Sequence, residues 1–174
     1  DVTGDFHVLA LWGPDACSSG PTTGTIAFSD PRHAGLGTRI LSEARFAADI
    51  ASATNGDSVS EDAYHAHRIA LGVPEGGRDY QFGDAYPHEA DLDLFNGVSF
   101  KTGVRKRVVM VSGAAGLAAG ADILFGEAAV GRVGSVDGRH ALAMLRLDRA
   151  AEAQDKGIAL TAGGIEVTPD ANEV

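Results

Sequence analysis

The chain has 174 residues and a net charge of −10 at pH 7, from 14 Lys and Arg against 24 Asp and Glu. Residues 1–103 carry six basic and 15 acidic side chains, so the clustered cations needed for nonspecific nucleic-acid binding are not expected. A hydrophobic fraction of 44% is typical of a soluble globular protein, and no apolar run approaches the roughly 20 residues of a membrane helix. Cys17 is the single cysteine, which excludes an internal disulfide and fits a reducing, cytoplasmic compartment.

The first 60 residues alternate short apolar runs with polar turns. We predict strands at 6–12, 25–28 and 37–41, and a helix that begins within 42–50. The chain opens on Asp1 without a methionine or an apolar signal core, and a strand follows at once. We therefore expect this sequence to be cut from a longer polypeptide.

Residues 61–71 have the pattern of a short helix. Ser58 and Glu61 have the spacing of a capping box, and the glycine and proline that follow residue 71 end the pattern. On such a helix His65 and His67 point in different directions, and no other histidine or carboxylate nearby has a tight ligand spacing. We therefore predict no metal site. The glycines and charges of 75–84 predict an exposed turn.

Residues 104–174 have a different character, with glycines between short apolar runs. We predict six strands, at 104–112, 122–125, 128–135, 139–146, 158–161 and 165–168. Asp137-Gly138 between two alternating runs predicts a hairpin, and 149–156 predicts a helical connection. Many short strands at regular spacing indicate a small antiparallel barrel that begins near residue 104. The basic run at 105–107 is predicted to be a solvated strand edge.

Titratable side chains, glycines and prolines are concentrated between the helix and the predicted barrel. This stretch reads HRIALGVPEGG at residues 67–77 and FGDAYPHEADLDLFNGVSFKTG at residues 82–103. In order and spacing these runs resemble the YgfZ-type folate-binding proteins, which are relatives of the aminomethyltransferase (T-protein) of the glycine cleavage system. The resemblance implies an α+β fold. A T-protein-like folate-binding domain, incomplete at its N-terminus, would occupy residues 1–103, and an antiparallel β-barrel would occupy residues 104–174.

One piece of that family pattern is missing from this sequence. In the family, the Lys-x-Gly step continues into a Cys-Tyr-x-Gly-Gln-Glu signature, whereas here Lys101-Thr102-Gly103 passes directly to Val104. Because the flanks match on both sides, we expect that a segment was omitted from the sequence rather than lost from the protein. A true absence would put any thiol-dependent role in doubt.

The resemblance implies tetrahydrofolate as the cofactor and provides five candidate ligands. Glu89, with Asp84 as the second choice, would accept the paired N–H donors of a pterin; alternatively, Glu89 caps a short helix or is solvated. Arg68 would bind the glutamate tail or the pterin carbonyl; alternatively, it forms an ion pair with Asp84 or Glu89. Lys101 would lie near the mouth of the site, and Asn96 is the fifth candidate.

The function implied by the resemblance is that of a tetrahydrofolate-binding accessory protein. It would support assembly or repair of iron–sulfur proteins, with a link to tRNA modification. Its partners would be folate and iron–sulfur client or assembly proteins, with no direct nucleic-acid binding and no membrane association. Two alternatives stay open. One is a folate-dependent aminomethyl or one-carbon transferase, which needs a carboxylate for proton transfer at the folate nitrogens. The other is a non-catalytic protein-interaction domain.

Overall fold

A computed structural model describes residues 1–14, 24–54, 56–94, 97 and 103–170. The chain divides into two units, residues 1–67 and residues 68–174. Residues 68–103 therefore group with the strands that follow them. The boundary predicted near residue 104, between a folate-binding domain and a barrel, stays a prediction, as does the T-protein-like fold of the N-terminal part.

The first unit contains a three-stranded antiparallel sheet. Its strands are β1 (Phe6–Leu11), β2 (Thr25–Ser29) and β3 (Thr38–Glu43). Strand β3 lies in the centre and pairs with both others. Alternate residues of β3, including Ile40 and Ser42, are buried on one face of the sheet, as the two-residue period of a strand requires. The three predicted strands are confirmed to within two residues.

Two helices follow this sheet in the chain, α1 (Ala47–Ala53) and α2 (Glu61–Ala70). Helix α1 begins at Ala47, within the predicted range of 42–50, after β3 ends at Glu43 and a 3₁₀ turn follows it. Helix α2 begins after Ser60, whose hydroxyl accepts the Ala63 N–H at 3.3 Å, so the predicted cap at Ser58 is wrong. The helix ends before Gly72, which adopts a φ of +70° that favours glycine.

The second unit contains a closed six-stranded antiparallel barrel. Its strands are β4 (Lys106–Gly113), β5 (Asp122–Phe125), β6 (Ala128–Asp137), β7 (His140–Arg146), β8 (Leu160–Ala162) and β9 (Ile165–Pro169). Their order around the barrel is β4-β7-β6-β5-β8-β9, and β9 pairs with β4 to close it. The predicted barrel and all six strands are confirmed. The predicted hairpin is also confirmed, since Asp137 pairs with His140 and Gly138 adopts a φ of +59°.

Small and branched side chains fill the barrel interior. Ile123 and Leu145 are fully buried, and Ala141 and Ala143 of β7 are buried with them. Gly131 lies where a Cβ would come within 2.6 Å of the Met144 carbonyl oxygen, so β6 and β7 pack closely at this point. Helix α3 (Leu147–Asp155) connects β7 to β8 and buries Ala150 and Ala153. Among the described residues, no helix combines the length and the apolar character needed to cross a membrane.

Candidate functional site

Arg68 lies near the end of α2 and is 1% exposed. Its guanidinium donates to an Asp79 carboxylate oxygen at 2.8 Å, to the Val73 carbonyl at 3.1 Å and to the Ser135 hydroxyl at 2.6 Å. Its Nε also lies 3.1 Å from a Glu75 carboxylate oxygen. Arg68 therefore joins the end of α2 to the following turn and to strand β6.

Asp79 is the buried counterion in this network. Its side chain is fully buried and accepts the backbone N–H groups of Glu75 at 2.8 Å and Ser135 at 2.6 Å. A Cβ at Gly134 would lie 2.6 Å from the Asp79 carboxylate, so glycine permits this close approach. The exposed turn predicted for 75–84 is therefore wrong at Asp79. The network satisfies a charge that would otherwise be costly to bury.

Glu89 is held by contacts within its own turn and with the barrel. One carboxylate oxygen accepts the Tyr86 N–H at 2.9 Å and lies 3.4 Å from Lys106 Nζ, while the Glu89 carbonyl accepts the Val108 N–H at 2.8 Å. The residue is 6% exposed. Glu89 thus accepts a backbone N–H within its turn, but the short helix that it was predicted to cap is not formed, since the described residues 84–94 adopt turns. Asp84 is exposed, and its carbonyl accepts a hydrogen bond from the same Lys106 at 3.3 Å.

A second ion-pair group fixes the turn that follows Glu89. Arg107 of β4 donates to Asp93 at 3.0 and 3.2 Å and lies 3.3 Å from an Asp91 carboxylate oxygen. Burial opposes ionisation of Asp93, but the hydrogen bond from Arg107, its positive charge and weaker local contacts together outweigh burial and lower the pKa of that carboxyl. Asp91 adopts a φ of +59°, which is uncommon for a residue other than glycine.

Strand β4 is therefore not a solvated edge. It pairs with β7 on one side and with β9 on the other, and Lys106 and Arg107 contact carboxylates of the 84–93 turn. The β9 pairing covers only residues 111–113 of β4, whereas Lys106 and Arg107 pair with β7 and contact the 84–93 turn. The predicted solvated edge is therefore wrong for these two residues, and Arg105 is exposed. The basic run instead holds the turn against the barrel.

The first unit contains a separate cluster of charged and aromatic side chains. The buried Asp30 carboxylate accepts hydrogen bonds from Arg32 at 2.7 Å and Arg39 at 2.8 Å, and both guanidinium groups also donate to the Tyr64 hydroxyl. Burial opposes ionisation of Asp30, but the hydrogen bonds from Arg32 and Arg39 outweigh it, so the pKa of Asp30 lies well below its usual value. This cluster joins the sheet to helix α2 within the first unit.

The two helical histidines point in different directions, as predicted. His65 Nε2 lies 3.1 Å from Glu61, whereas His67 Nε2 lies 2.8 Å from the Gly35 carbonyl and its ring stacks on Trp12. Within the part of the chain that the structure describes, no three His, Cys, Asp or Glu side chains are placed to hold a metal ion together. Cys17 lies outside the described residues.

A cleft of about 370 Å³ lies in the second unit, between the 78–85 turn and the barrel wall. We call it the barrel cleft. Its charged lining consists of Arg78, Asp79, Asp84, Lys106 and Arg132. Its remaining lining residues are Tyr80, Gln81, Ala85, Ala119, Gly120, Val133, Gly134 and Met144. The cleft combines cations with aromatic and apolar surface, a lining suited to a ligand or partner that carries both negative and apolar groups.

Three of the five predicted folate ligands lie at or behind the barrel cleft. Asp84 lines it directly, Glu89 contacts its Lys106 and Arg68 contacts its Asp79. Lys101 and Asn96 lie outside the described residues. The observed partners of Arg68 are Asp79 and Glu75, not the predicted Asp84 or Glu89, because the 75–79 turn folds back onto the end of α2. The assignment of all five as folate ligands stays a prediction.

Sequence reasoning missed the cleft residues that the barrel supplies. Lys106 belongs to the basic run that was predicted to be a strand edge. Arg132 lies among the alternating residues of a predicted strand, and no local sequence pattern marks it as a binding residue. Asp79 also went unnoticed, although an acidic residue shortly after an Arg-bearing helix end could have indicated a returning turn. These residues meet through tertiary structure, which the local pattern does not record.

The barrel agrees with a family match. Residues 105–173 match the family described as CAF17, C-terminal beta-barrel domain. This range contains β4 to β9 and α3. This part of the chain therefore matches the CAF17 C-terminal β-barrel in both sequence and fold.

The chain is further similar to proteins named iron-sulfur cluster assembly factor IBA57. It is 33% identical over 129 residues to the Mycosarcoma maydis homologue, covering 64% of this chain and 31% of that protein. It is 36% identical over 105 residues to the human protein, covering 55% and 29%, and 35% identical over 100 residues to the Dictyostelium discoideum homologue, covering 57% and 22%. The chain thus spans less than a third of the length of these relatives. These similarities support the predicted relationship in its broader form, and the narrower YgfZ-type assignment stays a prediction.

The names of these relatives also state a compartment. All three are named as mitochondrial proteins, which differs from the cytoplasmic location predicted for this chain.

Proposed function

We propose that this chain is part of an iron–sulfur cluster assembly factor. The observation that carries the proposal is the similarity to IBA57 proteins, which extends over 64% of the chain for the Mycosarcoma maydis homologue. The match of the barrel to the CAF17 C-terminal domain supports it independently. In a eukaryotic source this function would place the protein in mitochondria, as the names of the relatives state for those proteins.

The structure supports the proposal by offering a rigid platform. A closed barrel has no free sheet edge, and residues 75–93 are fixed on it by ion pairs of Arg68, Lys106 and Arg107 with buried carboxylates. A segment held in this way keeps its side chains in a defined position, as a surface that docks a client protein requires. The role proposed here is therefore presentation of a preorganised surface, and it needs no general base.

The proposal predicts a selective loss of iron–sulfur enzyme activity in cells that lack the protein. Activities of several iron–sulfur enzymes are expected to fall, while an enzyme without a cluster keeps its activity in the same extract. Restoring the intact gene is expected to return the lost activity. Equal activities with and without the gene would contradict the proposal.

Folate binding is a separate proposal that comes from the sequence resemblance. Among the described residues, the fork of Arg68 is engaged by intramolecular acceptors and Glu89 by Tyr86 and Lys106, so neither side chain is presented to a pterin. Asp84 is the exposed member of the set. The described residues alone therefore do not fit the predicted ligand set.

Calorimetric titration of the full chain with tetrahydrofolate tests this second proposal. Saturable binding that Asp84→Asn weakens would support it, and heat indistinguishable from dilution would contradict it. The transferase activity and the link to tRNA modification stay predictions from the resemblance.

A further inference from the structure

Three cationic side chains line the barrel cleft of this acidic chain. Arg78, Lys106 and Arg132 line it, although the chain carries a net charge of −10. Two carboxylates also line the cleft: Asp84, which is exposed, and Asp79, which is paired with Arg68. The cations thus outnumber the one exposed carboxylate of the lining, and cationic surface in an acidic protein favours an acidic partner.

Arg132 is the most available of these cations. Its Nε donates to the Gly120 carbonyl at 3.0 Å, which orients the guanidinium at the rim of the cleft. Among the residues that the structure describes, no carboxylate lies within ion-pair distance of it, whereas Lys106 lies 3.4 Å from Glu89 and Arg78 lies 3.4 Å from Glu75. A planar guanidinium held in this way can bind a carboxylate through two parallel hydrogen bonds.

Two exposed aromatic side chains lie on the turn that forms one wall of the cleft. Phe82 is 79% exposed and Tyr86 is 73% exposed, the two highest values among the large hydrophobic side chains of the described residues. Phe82 packs edge-on against Tyr80, with 5.7 Å between ring centroids, and against Gly76, where a Cβ would come within 2.2 Å of the ring. Part of the Phe82 ring thus packs against the protein, and the rest of the ring is exposed and can contact a partner. Aromatic and Arg side chains on a fixed scaffold are typical of binding hot spots.

We infer that the barrel cleft, together with the exposed Phe82 and Tyr86 of the adjoining turn, docks an acidic segment of a partner protein that also carries apolar side chains. The carboxylates of the segment would pair with Arg132 and Arg78, and an apolar side chain would pack on Phe82 and Tyr86. A small anion would leave the exposed aromatic side chains without a contact. The inference rests on the cleft alone and stands without the proposed assembly function.

Panning a library of random dodecapeptides against the full chain tests this inference. We expect the enriched peptides to combine Asp or Glu with aromatic or aliphatic residues. Arg132→Gln and Phe82→Ser are each expected to weaken their binding about tenfold, the loss typical of a hot-spot residue. Salt at high concentration is expected to weaken binding as well, because exposed charge pairs are screened.

Arg139→Gln is the matched control. Arg139 is also exposed, and its Nε also donates to a glycine carbonyl, that of Gly113 at 3.1 Å, but it does not line the cleft. Peptide binding to Arg139→Gln is expected to equal that of the unaltered chain. Three results would overturn the inference: no enrichment, enrichment without acidic residues, or equal losses for Arg132→Gln and Arg139→Gln. Self-association of the chain that Phe82→Ser abolishes would also overturn it, because a second copy would then occupy the cleft.

Discussion

Replacing Arg68 with alanine is expected to destabilise the second unit by about 3–5 kcal/mol, the cost of removing one partner from a buried ion pair. The Asp79 side chain is fully buried, and without Arg68 its charge would lack its main counterion. The Val73 carbonyl and the Ser135 hydroxyl would lose a donor at the same time. Because the network joins α2, the 75–79 turn and β6, its loss is also expected to release the turn from the barrel.

Urea denaturation followed by circular dichroism measures this loss. The matched control is Arg146→Ala, since Arg146 forms an ion pair with Asp148 in which both side chains are about half exposed. That replacement is expected to leave the unfolding midpoint nearly unchanged, because exposed pairs contribute little. Similar midpoint shifts for the two variants would contradict the role assigned to the Arg68 network.

Replacing Leu145 with alanine is expected to destabilise the barrel by about 3 kcal/mol, within the range for buried leucines. Leu145 is fully buried in β7, and a Cβ at Gly131 of the neighbouring strand would lie 2.9 Å from one of its methyl groups. The side chain therefore fills the space that glycine leaves. Its removal would open a cavity that the closed sheet has little freedom to fill.

The matched control for the Leu145→Ala variant is Ile158→Ala. Ile158 lies in the second unit between α3 and β8 but is 47% exposed, so its truncation is expected to cost less than about 1 kcal/mol. The free energy of unfolding from urea titrations compares the two variants. Equal losses would mean that Leu145 does not lie in a closed core.

The barrel was predictable from the sequence because its signals are local. Each strand is a short apolar run bounded by glycine, and Asp137-Gly138 has the chemistry that a tight hairpin needs. Barrel closure depends instead on pairing of β4 with β9, which brings Val111 to Pro169 and Gly113 to Val167. No local pattern encodes a register between segments so far apart in the chain. The prediction of a solvated edge was wrong at Lys106 and Arg107 because they contact carboxylates of the 84–93 turn, more than ten residues away in the chain.

The candidate site was less predictable, since its side chains meet over long sequence separations. Arg68 contacts Asp79 eleven residues later and Ser135 sixty-seven residues later, so the helix pattern could not identify these partners. Glu89 has a local partner, because it accepts the backbone N–H of Tyr86 three residues earlier, although the short helix that it was predicted to cap is not formed. The cations of the barrel cleft come from a turn and two barrel strands, and only the tertiary fold brings them together.

A chimaeric relative tests most sharply whether this chain belongs to an iron–sulfur assembly factor. The experiment uses cells that lack the Mycosarcoma maydis IBA57 homologue. In these cells a chimaera is expressed in which this chain replaces the matching region of that protein. The measurement is the ratio of iron–sulfur enzyme activity to the activity of an enzyme without a cluster. We expect the chimaera to restore this ratio, and the same chimaera with Arg68→Ala to fail because the barrel platform is destabilised. A chimaera that accumulates in folded form yet leaves the ratio at the level of the deficient cells would contradict the proposed function.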